Sequence, residues 1–196
     1  MGTTTLLILD VEKGVLDMLG DDGEYLKRLS QALNAARENN IEVIHVITAF
    51  RPGYPEFHPS NPSVTGIAAA GLFVEGDPTT EVDPAVTPIN NEVVITKRRV
   101  SAFFGTELDM ILRCYNTERI VVAGISTSGA VLSTIRHAAD LDYKITLLCD
   151  LCKDRDEETH NFLINKIFKR KVNLLTSDEW IQQLSDEPTG EKAALS

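Results

Sequence analysis

The chain has 196 residues, of which 43% are hydrophobic and 24% charged, a composition that fits one globular domain with a sizeable core. Its formal net charge of −10 argues against a nucleic-acid partner, because phosphate binding requires a basic face. No run approaches the ~18–20 apolar residues of a membrane span, so no membrane partner is expected.

Neither the first residues of the chain nor its cysteines predict a secreted protein or a metal or redox site. The first ten residues carry no basic segment and reach an acid at Asp10, which predicts no signal peptide and a cytoplasmic location. Secretion by a route without a signal peptide stays open. Cys114, Cys149 and Cys152 make an odd count, and no second Cys-x-x-Cys or histidine pair completes a metal or redox site. The cysteines are therefore interpreted as packing residues.

Apolar runs alternate with amphipathic stretches along the whole chain. Strands are predicted, in chain order, at 4–10, 41–48, 92–96, 119–124, 144–150 and 172–175. Helices are predicted at 24–39, 106–115, 129–141 and 157–169, and a last helix runs from an N-cap at Ser177 through Leu184. The first strand is followed by a polar loop. Residues 49–91 form a long connection rich in Pro and Gly, of the kind that usually covers a functional site.

This order of elements predicts the fold class. Strands that alternate with helices form right-handed crossovers and a mostly parallel sheet covered on both faces. We therefore expect a single doubly wound α/β domain over residues 1–185. Residues 186–196 are small and polar and are expected to be a flexible C-terminal tail.

Three features point to one edge of that sheet, where ligands bind in open α/β folds. Asp10 ends the first strand, Lys97 follows the third, and the turn at 124–129 joins the fourth strand to a helix. Taken singly, each is a weak signal. The acid is more often a turn or cap residue, the lysine is more often a surface charge, and the turn could simply pack the helix against the strand. Their convergence predicts a small-molecule site in which Asp10 and Lys97 tune each other's protonation. The N–H groups of the turn are expected to form an anion hole.

The segments at 6–10, 97–108 and 121–138 resemble the isochorismatase-like, or cysteine hydrolase, superfamily, and so do Asp150 and the stretch 156–160. The resemblance covers nearly the whole chain with three motifs in order. It implies a hydrolase with a six-stranded sheet of order 3-2-1-4-5-6. It also implies a cis peptide bond between Ile125 and Ser126 and assembly into a homo-oligomer.

The sequence departs from the family pattern at Ala130. The resemblance implies that amide-hydrolysing members use an Asp, Lys and Cys triad, in which Asp10 and Lys97 match and Ala130 stands at the cysteine position. A methyl group cannot attack a carbonyl, and the other cysteines lie in other elements. Ala130 is either natural, which we favour, or the replacement of a cysteine.

The favoured interpretation is similarity to isochorismatases proper, in which a small residue replaces the cysteine. It implies cleavage of the enol ether of isochorismate with release of pyruvate. Asp10 would be the general acid, and Lys97 would position the substrate and balance its carboxylates. One alternative is an amidohydrolase of a small amide or ureide, inactivated at Ala130. Another is a non-catalytic binding or assembly protein, although a retained buried Asp10–Lys97 pair argues against it.

Other residues are expected to complete the pocket. The predicted substrate-binding residues are Phe50, Arg51, Tyr54, Phe103, Ser126, Thr127 and Gly129. Arg51 is equally well explained as a surface charge, and for Phe103 a position in the core is favoured over the pocket wall.

The remaining candidates for metal binding are isolated. His58 stands alone in the long connection, without the Asp-x-His pattern of the family's metal-bearing branch, so we expect no metal and no cofactor. His45, His137 and His160 are interpreted as structural. The expected partner is a small-molecule substrate.

Overall fold

The computed structural model describes residues 3–20 and 23–186 and contains a sheet of six strands. The strands are β1 (Thr3–Leu9), β2 (Glu42–Thr48), β3 (Val93–Lys97), β4 (Thr117–Ile125), β5 (Lys144–Lys153) and β6 (Asn173–Leu175). They pair in the order β3-β2-β1-β4-β5-β6, and every neighbouring pair is parallel. The predicted α/β class and strand order are confirmed.

Helices connect these strands. They are α1 (Lys13–Leu19), α2 (Glu24–Glu38), α3 (Pro62–Ala70), α4 (Leu108–Cys114), α5 (Leu132–Asp140), α6 (Glu157–Phe162) and α7 (Ser177–Asp186). A π-helical turn at Thr127–Val131 leads into α5, and a second one at Leu163–Ile167 extends α6.

The continuous apolar run of β1 is explained by burial on both faces of the sheet. Leu7 and Leu9 belong to the hydrophobic cluster that includes the buried sides of α4 and α5. Leu6 and Ile8 point to the opposite face and belong to the cluster that includes α2 and α7. Successive strand residues alternate between faces, so a strand in the middle of a two-sided core must be apolar at every position.

Three segments differ from the sequence prediction. The predicted polar loop after β1 contains α1, and the long connection 49–91 contains α3. Each helix has nine residues or fewer, which leaves too short a window for a helical period to stand out. Strand β5 continues to Lys153, three residues beyond the expected end, because its far end still pairs with β4.

The C-terminal helix runs to Asp186, two residues beyond its predicted end and one into the expected tail. Residues 187–196, the rest of that tail, lie outside the described part of the chain. Within the described residues, no helix combines the length and apolar character needed to cross a membrane.

The sheet brings the ends of β1 and β4 unusually close together at Gly124. This residue pairs with Leu9 and has a φ of 139°. A Cβ atom built there would lie 2.1 Å from the carbonyl oxygen of Leu9, inside the main chain of the neighbouring strand. Only glycine fits, and the next peptide bond, Ile125–Ser126, is cis, as the resemblance implied.

Gly124→Ala should therefore destabilise the protein, because neither the main chain of β1 nor the backbone angle can adapt. We expect the free energy of unfolding to fall by at least about 2 kcal/mol, measured by urea denaturation. The matched control is Gly66→Ala in α3, where an added Cβ meets no atom within 4 Å. That change should be neutral or stabilise by roughly 0.5–1 kcal/mol. Equal stability of the two variants would contradict the close contact between the strands.

Candidate active site

A cavity of about 450 Å³ opens at the carboxyl edge of the sheet, over the ends of the central strands. Asp10, Lys97 and Ala130 all line it, together with Phe50, Ser126 and Gly129 from the set expected to bind substrate. Asp10 directly follows β1, and Lys97 is the last residue of β3. The parallel strands thus bring together side chains that are far apart in sequence.

A closed triangle of polar contacts occupies the floor of the cavity. The ammonium group of Lys97 lies 2.9 Å from Oδ2 of Asp10, and both side chains are buried. The hydroxyl of Thr48, at the end of β2, donates to Oδ1 of Asp10 at 3.0 Å and accepts from Nζ of Lys97 at 2.7 Å. Each member therefore fixes the other two, and little freedom is left to the carboxylate.

Glu12 adds a second carboxyl group to this cluster. Its side chain is wholly buried, and its two carboxyl oxygens lie 3.0 and 3.3 Å from the main-chain nitrogen of Thr48, whose N–H they accept. Sequence analysis missed Glu12, because an acid followed by a lysine in a short polar segment is typical of a surface. Thr48 carried a usable signal, since it ends a predicted strand beside the first one.

Burial dominates the protonation of both acids. It raises the pKa of Asp10 above its ordinary value, although the charge of Lys97 and the hydrogen bonds from Lys97 and Thr48 oppose the shift. It raises the pKa of Glu12 to about 10, helped by the negative charge of Asp10. Glu12 is therefore neutral at neutral pH, so Asp10 is the carboxyl group of this cluster whose ionised form pairs with Lys97.

The turn between β4 and α5 presents Ala130 to the cavity but offers fewer free donors than expected. The N–H of Ser128 donates to Oδ2 of Asp154 at 2.7 Å, and the N–H of Gly129 donates to Oγ of Ser126 at 3.1 Å. These two groups are already engaged, which corrects the expectation that all N–H groups of the turn form an anion hole. The methyl group of Ala130 is buried at the cavity surface.

Four of the residues expected to bind substrate lie away from the cavity. Arg51 is exposed and pairs with Glu56, as a surface charge does. The hydroxyl of Tyr54 donates to the carbonyl of Leu72, which turns the ring into the long connection. The last two, Thr127 and Phe103, are buried behind the cavity wall.

Packing explains the position of those two residues. The Thr127 hydroxyl donates to the carbonyl of Lys153 and pairs with Nδ1 of His160. Phe103 belongs to the core beneath α5, where its ring contacts His137 and Tyr143. Thr127 therefore supports the turn from behind, and Phe103 supports the helix that follows.

Cationic residues missed by sequence analysis line the cavity mouth. Arg98 is engaged by Glu56 and Glu75, which tie it to the long connection. Arg99 donates instead to the carbonyls of Arg98 and Glu56, so its positive charge is not neutralised by those contacts. Arg155 is exposed at the end of β5 and also lines the cavity. The mouth is therefore suited to an anionic group, despite the acidic composition of the chain.

Apolar side chains form the opposite wall. Phe50, Val64 and Phe73 make a small cluster within the long connection, and Ile67 of α3 packs against it. All four line the cavity, and so does Met18 of α1. The two helices absent from the sequence prediction thus cover the site, as a long functional connection was expected to do.

Histidines and cysteines lie outside this arrangement. Among the described residues, no group of three His, Cys, Asp or Glu side chains is placed to hold a metal ion. His58 is exposed and accepts the N–H of Ser60. Cys152, the buried member of the three free cysteines, has a pKa raised by burial, and the cavity lining contains no thiol within the described residues.

Comparison with known proteins gives a family match over most of the chain. Residues 4–179 match the family model described as the isochorismatase domain. The chain is 28% identical over 181 residues to the isochorismatase family protein YwoC of Bacillus subtilis, which covers 92% of this chain and 94% of that protein. It is 31% identical over 170 residues to the ureidoacrylate amidohydrolase RutB of Methylorubrum extorquens, covering 76% and 68% respectively.

A solved structure shares the fold. The cysteine hydrolase from Pseudomonas syringae pv. phaseolicola superposes with a TM-score of 0.85 at 21% identity, over 93% of this chain and 92% of that chain. At this identity the likeness establishes the architecture.

The buried Glu12 makes a prediction about pH and stability. Its pKa is higher in the folded than in the unfolded chain, so the stability it contributes is complete below its ordinary pKa and is lost as the pH rises towards about 10. Relative to Glu12→Gln, the natural chain should lose up to about 1.4 kcal/mol per pH unit between roughly pH 5 and pH 9. Urea unfolding of both chains across that range measures the difference. A difference independent of pH would show that Glu12 keeps its ordinary pKa.

Proposed function

Because the chain belongs to the isochorismatase family and is a hydrolase of that family, we propose that it cleaves the enol ether of isochorismate, without a thiol nucleophile. One observation carries the proposal. The cavity is lined by an acid of raised pKa, Asp10, by the lysine that pairs with it, and by the methyl group of Ala130. This arrangement can deliver a proton but cannot form a covalent thioester.

Enol-ether hydrolysis needs such a proton donor. Transfer of the Asp10 proton to the terminal CH₂ carbon of the substrate generates an oxocarbenium ion, and water adds to the cationic carbon. The carboxylate left on Asp10 takes up the proton released by that water, and the hemiketal collapses to pyruvate and the ring alcohol. One water molecule is consumed and Asp10 is regenerated. Lys97, at 2.9 Å, stabilises the carboxylate between the two proton transfers.

The cavity lining supports a substrate with carboxylates on an apolar body. Arg99 and Arg155 supply positive charge at the mouth, where a guanidinium can bind a carboxylate through two hydrogen bonds. The wall that contains Phe50 and Phe73 would pack against the carbon ring. The cavity volume is within the range typical of small-molecule sites.

The similarity to a ureidoacrylate amidohydrolase favours a second candidate. In that proposal the substrate is a small amide or ureide, and Ala130 stands where a cysteine nucleophile would attack the carbonyl. The same arginines would hold the substrate carboxylate. The chain as it stands would then bind this substrate without turning it over.

Assembly into a homo-oligomer in the cytoplasm remains a prediction. Three large apolar side chains, Phe104, Met110 and Phe162, are each more than half exposed on the described surface and are candidates for such a contact.

Asp10→Asn tests the general acid. The amide keeps the size of the side chain and one acceptor oxygen but has no acidic proton, so we expect kcat for pyruvate release from isochorismate to fall on the order of 10²–10⁴-fold. Substrate binding, measured by calorimetry, should be largely retained. Loss of binding with unchanged kcat would assign Asp10 to substrate anchoring instead.

Ala130→Cys separates the two candidate reactions. If the enol ether is the substrate, the unmodified chain releases pyruvate, and the cysteine variant does so as well because no thiol takes part. Alkylation of the introduced cysteine with iodoacetamide should then reduce pyruvate release only because the added group occupies part of the cavity. The amidase candidate requires the reverse: an inert natural chain, and a variant that hydrolyses ureidoacrylate in an alkylation-sensitive way. That result would overturn the proposal of a thiol-free mechanism.

A further inference from the structure

Glu12 is a buried ionisable residue that the proposed reaction does not use. Its side chain has no exposed surface, and it lies two residues after Asp10 on the same chain segment. A glutamate seldom occupies such a place without a specific partner, because burial removes its hydration. Its contacts show which group it serves.

The side chain of Glu12 contacts the site through Thr48. The carboxyl accepts the main-chain N–H of Thr48, at 3.0 Å for the nearer oxygen. The side chain of the same threonine bridges Asp10 and Lys97. Glu12 therefore holds the main chain of the residue whose hydroxyl orients the acid.

The main chain of Glu12 has a separate task. Its carbonyl accepts the N–H groups of Val15 and Leu16 at the start of α1, and its backbone pairs with Val82 in an isolated bridge. These contacts do not involve the carboxyl group. A change of side chain thus leaves them in place, and the role of the carboxyl can be tested by itself.

We propose that Glu12 is a positioning residue for the reaction: by accepting the Thr48 N–H, it holds the Thr48 hydroxyl in the bridge between Asp10 and Lys97. The proposal rests on the proposed function in so far as Asp10 is the acid. A glutamine should fulfil the same role, because its amide oxygen is also an acceptor. An apolar side chain of similar size should not.

The charges around Glu12 explain why a neutral acceptor suffices. Asp10 and Lys97 are the buried charged groups that face it. On the segment that pairs with it, Glu81 is engaged by Lys13, and Asp83 caps the N–H of Ala85. With Glu12 neutral, Asp10 is the carboxyl group of the cluster that loses and regains a proton beside the ammonium ion of Lys97.

The first experiment compares Glu12→Gln with Glu12→Leu at neutral pH. We expect the glutamine variant to retain kcat within about threefold, and the leucine variant to lose on the order of 10–100-fold in kcat with little change in KM. Deprotonation of Asp10 should lower kcat/KM with rising pH in both chains. As the pH approaches about 10, ionisation of Glu12 should add a further decline in the natural chain, which the glutamine variant should lack. A leucine variant as active as the natural chain, or a glutamine variant as impaired as leucine, would overturn the proposal.

A double-mutant cycle distinguishes the proposed role of Glu12 from a general defect in folding. Thr48→Val removes the bridging hydroxyl and keeps the N–H. If Glu12 acts through that hydroxyl, Glu12→Leu should reduce kcat far less in the Thr48→Val chain than in the natural chain. Equal losses in both chains would show that Glu12 acts by another route and would contradict the proposal.

A measurement without turnover separates this proposal from the function itself. The titration of the Asp10 carboxyl carbon can be followed by ¹³C NMR, with Asp10→Asn used for assignment. Glu12→Leu should raise the pKa of Asp10, because the hydrogen bond from Thr48 is weakened, and Glu12→Gln should leave it close to the natural value. An unchanged titration in both variants overturns the positioning role. Absence of pyruvate release by the natural chain, with the NMR shift observed, overturns only the isochorismate reaction.

Discussion

Two carboxyl groups and one ammonium group lie together at the floor of the cavity, where burial removes most of their hydration. Their charges must balance locally, because an unpaired buried ion is strongly disfavoured. Lys97 balances Asp10, and Glu12 meets the same requirement by keeping its proton. Thr48 links all three, since its hydroxyl contacts the ion pair and its N–H contacts Glu12. These contacts fix the position of Asp10, whereas burial keeps its pKa above the ordinary value.

The surroundings of this cluster divide the work of recognition. Apolar residues of the long connection line one side of the cavity, and such a low-polarity wall strengthens the electrostatic interactions beside it. Arginines at the mouth offer positive charge to an anion, although the chain as a whole is acidic. Net charge thus describes solubility and long-range attraction, whereas a few local cations govern which small molecule is held. Ala130 leaves room, but no nucleophile, at the centre.

The sequence determined the architecture and the main pair of candidate site residues, which the structure brings together. Long apolar runs at regular intervals predicted a parallel sheet, because a strand buried on both faces must be apolar throughout. The same rule placed Asp10 and Lys97 at one edge, since parallel strands end on the same side. The two short helices α1 and α3 were not predicted, because each spans too few residues for its periodicity to appear. Their helical form depends on packing over the cavity.

Only the tertiary structure decided which polar residues serve the site. Glu12 has the sequence context of a surface acid, and its burial results from the strands and the long connection that enclose it. Arginine and tyrosine are residue types typical of a pocket wall, yet the contacts of Arg51 and Tyr54 turn their side chains away from the cavity. Thr127 is also turned away from the cavity, because its hydroxyl donates to the carbonyl of Lys153 behind the turn. Sequence order specifies the edge at which a residue emerges, whereas side-chain direction, burial and protonation depend on neighbours that only the folded chain brings within a few ångströms.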